Sequence, residues 1–225
     1  MCGRYTLYSN KTEIESHFEA PFKTGEIPGE NYNVAPGTYN PVVLHGKARV
    51  PGITLMKWGL IPSFADSESI GYKMMNARSE TVDTKPSFRK SFLRKRCLIP
   101  ANGFYEWKNL GTKNKLPFYI RLLNQELFAF AGIFEKWVSP ENEDVFSYSI
   151  ITTEANTLLQ PLHERMPVIL DKENYQFWMD PMNNDYQGLK DIMKPYPTEL
   201  MSVFRISDEV NKATNNHRAL IEPMV

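Results

Sequence analysis

The sequence predicts an α+β fold whose core is an antiparallel sheet or barrel. Between residues 96 and 155, four apolar segments rich in β-branched and aromatic residues alternate with turn residues, as consecutive strands do. Two other stretches, 10–20 and 84–93, repeat their apolar residues with helical spacing. No internal repeat, low-complexity segment or linker divides the 225 residues, so we expect one domain over 1–225.

The first predicted element is a helix at 10–20. Asn10 is a good capping residue, Glu13 follows three residues later, and Ile14 and Phe18 share one face. The segments NPVVLHG (40–46) and ITLMKWGL (53–60) then predict two strands, because they are apolar and β-branched and are bounded by Pro and Gly.

The second predicted helix, 84–93, places Phe88 and Phe92 on one face. The four core segments follow it: RCLIPANGFYEWK (96–108), LPFYIRLL (116–123), LFAFAGIFEKW (127–137) and VFSYSIITTEA (145–155). After them, 155–170 combines a helical turn, a histidine and a strand. Helical spacing returns at 171–179 and 188–194, and 200–207 predicts a late strand.

Composition argues against several classes of protein. Two cysteines without a CxxC spacing argue against a disulfide framework and a zinc site, and His17, His45 and His217 have no metal-ligand spacing. We therefore expect no metal and no cofactor. The longest uncharged apolar run, 127–134, is too short to cross a membrane, and no signal peptide precedes it, so we expect a cytoplasmic protein without membrane contact.

The charges balance, with 26 Lys and Arg against 26 Asp and Glu, so any binding of nucleic acid must be local. One dense basic stretch could contact phosphates, or could simply be a solvated helix face: Arg89, Lys90, Arg94, Lys95 and Arg96.

Cys2 follows the initiator methionine directly. An isolated cysteine near a terminus is usually a small buried residue. With Met1 removed, however, Cys2 would carry both a thiol and an α-amine, whose usual pKa values of about 8.5 and 7.7–8.0 leave both partly available at neutral pH. A 1,2-aminothiol condenses with an aldehyde through an imine to a thiazolidine, so the sequence indicates aldehydes as a target class.

Three polar residues in apolar surroundings could assist such chemistry. Asn76 lies in KMMNARSET, where Asn76, Arg78 and Glu80 would alternate on one strand face; the alternative is a buried amide that satisfies loop backbone. Glu106 lies between Tyr105 and Trp107, where desolvation would raise its pKa into the acid/base range, unless it faces solvent.

His163 is the third candidate, between a proline turn and an apolar strand. A lone histidine is more often structural than catalytic. Its pKa nevertheless suits a proton shuttle near neutrality.

The pattern as a whole resembles the SOS response-associated peptidase (SRAP) family of abasic-site processing proteins. Eight blocks in order carry the resemblance: MCGRY (1–5), YNVAPG (32–37), WGLIP (58–62), NARSET (76–81), CLIPANGFYEW (97–107), FAFAGIFEKW (128–137), IITTEAN (150–156) and LHERMPVIL (162–170).

The resemblance implies a mostly antiparallel, β-barrel-like fold with flanking helices, and a protein that forms a covalent thiazolidine crosslink with abasic sites in single-stranded DNA. It implies that Cys2 supplies the amine and the thiol and that Asn76 positions the terminus. Glu106 would relay protons, and His163 would assist opening of the sugar ring. Such a protein would associate with the nucleoid when bound to DNA.

The resemblance also implies DNA contacts. Arg4, Arg78 and Arg165 match positions that meet phosphates. Trp58 and the IPSF loop (61–64) correspond to a wedge that stacks on or separates bases. Where relatives often have a tryptophan pair, this chain has Phe64 and Ala65, which predicts a smaller stacking platform; core packing is the alternative for Trp58.

Two other functions remain open on the sequence. A cysteine, a histidine and a glutamate could support a cysteine-type peptidase or a self-processing protein that exposes Cys2. A module that binds single-stranded DNA without bonding to it is the non-enzymatic alternative. We expect Cys97 to be a core strand residue and the protein to be a monomer.

Overall fold

The computed structural model describes residues 2–23, 29–46, 50–111 and 115–224. Its strands are β1 Tyr5–Leu7, β2 Asn31–Val34, β3 Tyr39–His45, β4 Pro51–Trp58, β5 Asn76–Arg78, β6 Arg96–Ala101, β7 Gly103–Asn109, β8 Lys115–Leu122, β9 Phe128–Val138, β10 Asp144–Glu154, β11 Arg165–Pro167, β12 Ile169–Leu170 and β13 Met201–Arg205. Its helices are α1 Lys11–Phe18, α2 Pro86–Arg94, α3 Tyr175–Met179 and α4 Tyr186–Asp191, with short 3₁₀ turns at Glu68–Lys73, Lys172–Asn174, Thr198–Leu200, Asp208–Asn211 and Arg218–Ile221.

Five strands close a barrel in the order β4, β3, β6, β9 and β10, and β10 returns to β4. The pairings around the circle are antiparallel except the closing one, where β10 runs parallel to β4 through Ser147↔Lys57 and Tyr148↔Trp58. The α+β fold with a barrel-like core is therefore confirmed, with one parallel junction that alternation alone does not predict.

A second sheet, ordered β13-β8-β7-β1-β2, is antiparallel throughout. Here β1 pairs with β7 through Tyr5↔Phe104 and Thr6↔Gly103, and the Tyr105 amide donates to the Arg4 carbonyl at 3.0 Å. Continued by two residues, this register sets Gly3 opposite Glu106. The pairing of β1 with β7 thus brings the start of the chain to the strand that carries Glu106.

The segment 96–108 belongs to both sheets, because the chain leaves the barrel at Ala101 and enters the second sheet at Gly103. Asn102 lies at this junction and is buried. Its side-chain oxygen accepts from the amides of Tyr8 and Ser9 at 2.8 and 3.2 Å, and its amide donates to the Glu126 carbonyl at 2.9 Å. One side chain therefore satisfies the backbone where the strand changes sheets.

Both longer helices lie where the spacing predicts them. In α1, Asn10 and Glu13 form a capping box, and Ile14 and Phe18 are buried. In α2, Pro86 occupies the first turn. Cys97 is a buried residue of β6, as expected.

Two of the five cations in the basic stretch have structural roles. Arg96 is buried and donates to the carbonyls of Phe92, Leu93 and Trp178. Lys95 forms an ion pair with the buried carboxylate of Glu135. These two cations hold α2 and the chain near α3 against the barrel, so they do not form a phosphate-binding face. Within the described residues, no helix has the length and apolar character needed to span a membrane.

Replacing Asn102 with alanine is expected to lower the free energy of unfolding by about 2–4 kcal/mol, because two amides and a carbonyl lose a buried partner. Urea denaturation measures the loss. As a control, Asn109→Ala removes an exposed side chain that accepts from the Gly111 amide and should cost less than about 1 kcal/mol. Equal losses in the two variants would contradict this account of the junction.

Candidate active site

The Cys2 side chain is fully buried just before β1, and its thiol lies 3.8 Å from the Arg4 carbonyl oxygen. Burial raises the pKa of the Cys2 thiol strongly, and the nearby negative charge of Glu106 raises it further. The sulfur is therefore a neutral thiol at neutral pH. It suits an addition in which the proton leaves as the C–S bond forms, rather than attack by a standing thiolate.

Asn76 anchors this residue from the barrel side. It begins β5, which runs parallel to β10 through Ile150↔Asn76, and its side-chain amide donates to the Cys2 carbonyl at 2.8 Å. The Asn76 Oδ1 atom is buried and accepts no hydrogen bond from the described residues. Asn76 thus links the barrel to the start of the second sheet and keeps a polar atom at the site.

Glu106 lies in β7 and is buried, and burial raises the pKa of its carboxyl. Its charge is close enough to act on the Cys2 thiol. A carboxyl with a raised pKa is suited to donating and accepting protons nearer neutrality than an exposed glutamate is.

His163 precedes β11 by two residues, and its Nδ1 accepts the backbone N–H of Arg165 at 2.9 Å. Burial lowers the pKa of the imidazole. With Nδ1 accepting, the proton of the neutral ring lies on Nε2, which makes Nε2 a hydrogen-bond donor. Since β5 and β11 both pair with the second half of β10, Asn76 and His163 lie on elements that flank one strand.

The three candidate arginines differ in their surroundings. Arg78 is exposed on β5. Arg4 is half-buried and donates to Asn33 Oδ1 at 2.6 Å and to the Val210 carbonyl at 3.0 Å. Arg165 is buried and its fork binds both carboxylate oxygens of Glu80, at 2.5 and 2.9 Å. Arg78 is thus the most accessible of the three to a phosphate.

The two candidate wedge residues also differ. Trp58 is 1% exposed, stacks on Tyr148 and donates its indole N–H to the Met75 carbonyl at 2.9 Å. Phe64 is 63% exposed, on a loop held by the Trp137 indole at the Ala65 carbonyl. A base can reach Phe64 but not Trp58, which instead supports the residue before Asn76. Trp58 is therefore a packing residue of the core and does not form part of a base-contacting wedge.

Two structural features of the site are not predicted by the sequence pattern. Glu80 does not continue the β5 face, because the strand ends at Arg78, and its carboxylate reaches Arg165 from the following turn. Beneath the site, the Tyr5 and Tyr148 hydroxyls hydrogen bond at 2.8 Å. The spacing of acidic and basic residues in NARSET and LHERM is the one sequence signal for the Glu80–Arg165 pair. No sequence signal identifies the hydrogen bond between Tyr5 and Tyr148. Among the described residues, no three His, Cys, Asp or Glu side chains are grouped to hold a metal ion.

Comparison with known proteins gives three kinds of match. The model of the family described as SOS response associated peptidase (SRAP) matches residues 1–213. The abasic site processing proteins YoqW and YoaM of Bacillus subtilis are 44% and 41% identical, each over 99% of this chain and over 99% and 98% of their own lengths. A crystal structure of a Bacteroides thetaiotaomicron protein superimposes with a TM-score of 0.89 at 26% identity and covers 100% of both chains.

The raised pKa of Glu106 predicts how stability varies with pH. Between the unfolded carboxyl pKa of about 4.3 and the higher folded value, the folded state binds more protons, so stability falls as pH rises through that window. Glu106→Gln removes the ionisation and should flatten this part of the profile.

Calorimetry of both proteins from pH 4 to 8 measures the effect. The melting temperature of Glu106→Gln minus that of the unsubstituted protein should increase with pH. A difference that decreases across the window would mean that the folded state favours the Glu106 carboxylate.

Proposed function

This chain belongs to the SOS response associated peptidase (SRAP) family, and we propose that it captures abasic sites in single-stranded DNA by a covalent bond to Cys2. The product would be a thiazolidine crosslink that protects the lesion from strand cleavage. The Met1-free chain would be the reactive form, because only then does Cys2 carry an α-amine beside its thiol.

The hydrogen bond from Asn76 to the Cys2 carbonyl carries the proposal. It fixes the backbone of the residue that must react and leaves the α-amine and the thiol as its remaining functional groups. The partner is a side chain of the barrel, so the bond ties Cys2 to an element outside its own sheet. Holding both nucleophiles still converts the two-stage addition into one effectively intramolecular process.

The proposed reaction balances with the loss of one water. The abasic deoxyribose opens to an aldehyde at C1′. The Cys2 amine adds to C1′ to give a carbinolamine. The hydroxyl of the carbinolamine is protonated and leaves as water, which gives an imine. The thiol then adds to the same carbon, and this C–S bond closes the five-membered ring. The thiol proton passes to the former imine nitrogen.

Two groups would move the protons. Glu106, whose carboxyl pKa is raised by burial, would accept a proton from the attacking amine and return it to the departing hydroxyl. The Nε2–H of His163 would donate a hydrogen bond to the ring oxygen of the sugar and so assist ring opening, in which that oxygen gains a proton and the C1′ hydroxyl releases one. The neutral Cys2 thiol would remain unreactive toward other electrophiles until the imine forms.

DNA would approach along the accessible side chains. Arg78, two residues after Asn76 on β5, would meet a phosphate. Phe64 would stack on a base next to the lesion. With Ala65 as its neighbour in place of a second large ring, the platform is small, so affinity rather than chemistry should differ from relatives.

The peptidase alternative has less support. A cysteine peptidase needs a thiol whose pKa is lowered by a cationic neighbour, whereas burial and Glu106 raise the pKa of the Cys2 thiol. A non-covalent module would not need a buried thiol beside a carboxyl of raised pKa.

Incubating the Met1-free protein with a single-stranded oligonucleotide that holds one abasic site should give a shifted band on a denaturing gel. Cys2→Ala should abolish the band, and Asn76→Ala should slow its formation about 10- to 100-fold, because the terminus is no longer held. Cys97→Ala, at the other cysteine, is the control and should crosslink normally. A shifted band that persists in Cys2→Ala would refute the assignment.

Phe64→Ala should weaken binding of an undamaged single-stranded oligonucleotide by about 1–3 kcal/mol, the usual contribution of one stacked base, and Phe64→Trp should strengthen it. Fluorescence anisotropy measures both. Leu123→Ala, which removes another exposed apolar side chain from the turn after β8, should leave the affinity unchanged. Crosslinking at saturating oligonucleotide should remain normal in all three, and a slower reaction in Phe64→Ala would place the ring in the chemistry instead.

A further inference from the structure

We propose that Glu80 is a positioning residue that, through Arg165, fixes the orientation of His163 for the reaction, an inference that rests on the proposed function. The proposal concerns an ion pair that spans β10 and joins the two elements on either side of that strand.

The ion pair between Glu80 and Arg165 joins the two edges of β10. Arg165 begins β11, where it pairs with Glu154 of β10, while Glu80 follows β5, which pairs with β10 on its other edge. The buried guanidinium crosses β10 and binds both Glu80 oxygens. It also donates to the Thr152 carbonyl at 2.6 Å. A fork with this many short contacts has one orientation.

Arg165 also joins this ion pair to the imidazole. The backbone N–H of the same Arg165 is the donor to His163 Nδ1. The orientation of that N–H depends on the local backbone, which the pairing of β11 with β10 and the side chain of Arg165 together hold against β10. Glu80 therefore acts on His163 through one intervening residue.

A fixed His163 imidazole assists the reaction. While the Arg165 N–H points at Nδ1, the neutral ring keeps its proton on Nε2 and has a fixed plane. If the backbone at Arg165 were free to move, both tautomers and several ring orientations would be populated. The hydrogen bond from Nε2 to the sugar would then form in only part of the molecules.

The Glu80 carboxylate is itself suited to this task. The bond to Arg165 lowers the pKa of the Glu80 carboxyl, so the pair stays ionised through neutrality. The Glu80 side chain is 51% exposed, so its removal opens no cavity. A change at Glu80 can therefore alter positioning without removing core packing.

The test compares Glu80→Ala and Glu80→Gln with Asp144→Ala in the Met1-free protein. Asp144 is a matched control: its side chain is 50% exposed, it pairs with Lys136, and it lies at the opposite end of β10. The first readout is the ¹⁵N chemical shifts of the His163 imidazole, which distinguish the two neutral tautomers. The second is the crosslinking rate at saturating abasic oligonucleotide, alongside the affinity for an undamaged one.

We expect the unsubstituted protein and Asp144→Ala to hold the Nε2–H tautomer and to react equally fast. Glu80→Ala should show mixed tautomers and a crosslinking rate about 10- to 100-fold lower, with no loss of affinity. Glu80→Gln, whose amide oxygen still accepts one N–H from Arg165, should lie between them, which tests the proposal even where Glu80→Ala folds poorly.

An unchanged tautomer in Glu80→Ala, or a fall in affinity with a normal rate, would overturn the proposal. If the unsubstituted protein fails to crosslink at all, the proposed function fails. The imidazole shifts would still show whether Glu80 orients His163.

Discussion

The hydrogen bond from Asn76 to the Cys2 carbonyl is the interaction on which the site depends. It is made between the two sheets: Asn76 begins β5 on the edge of the barrel strand β10, whereas Cys2 leads into β1 of the second sheet. A chain terminus would ordinarily fray, because few contacts hold it. Here β7 pairs with β1 on one side and Asn76 binds from the other, so Cys2 and the residues that follow it are held on two sides.

Other features of the fold bring the candidate residues to the junction of the two sheets. Asn102 lets one segment pass from the barrel to the second sheet, and that passage puts Glu106 beside the start of the chain. The parallel pairing of β5 with β10 brings Asn76 to the same place, and β11, which His163 precedes by two residues, pairs with the other edge of β10. Three residues far apart in sequence are thus positioned by the hydrogen-bond pattern of three strands.

Sequence reasoning predicted much of this and missed parts of it for identifiable reasons. Capping and spacing located α1, and alternation located the strands, because those signals are local. The change of sheet at Asn102 was not predicted, since an apolar segment has the same pattern in either sheet. The resemblance predicts that Trp58 contacts DNA, but the sequence cannot show that its ring is enclosed. Alternation places Glu80 on the β5 face, which ends two residues earlier, so the pattern does not predict its bond to Arg165.

Intact mass spectrometry of the Met1-free protein after reaction with an abasic oligonucleotide tests the central claim most directly. The account predicts one new species whose mass is the sum of the two reactants less one water, and which borohydride does not change, because a thiazolidine holds no C=N bond. A species that gains two hydrogens on reduction would mean that the reaction stops at the imine and that the Cys2 thiol takes no part. The two reactants recovered at their separate masses would contradict covalent capture itself.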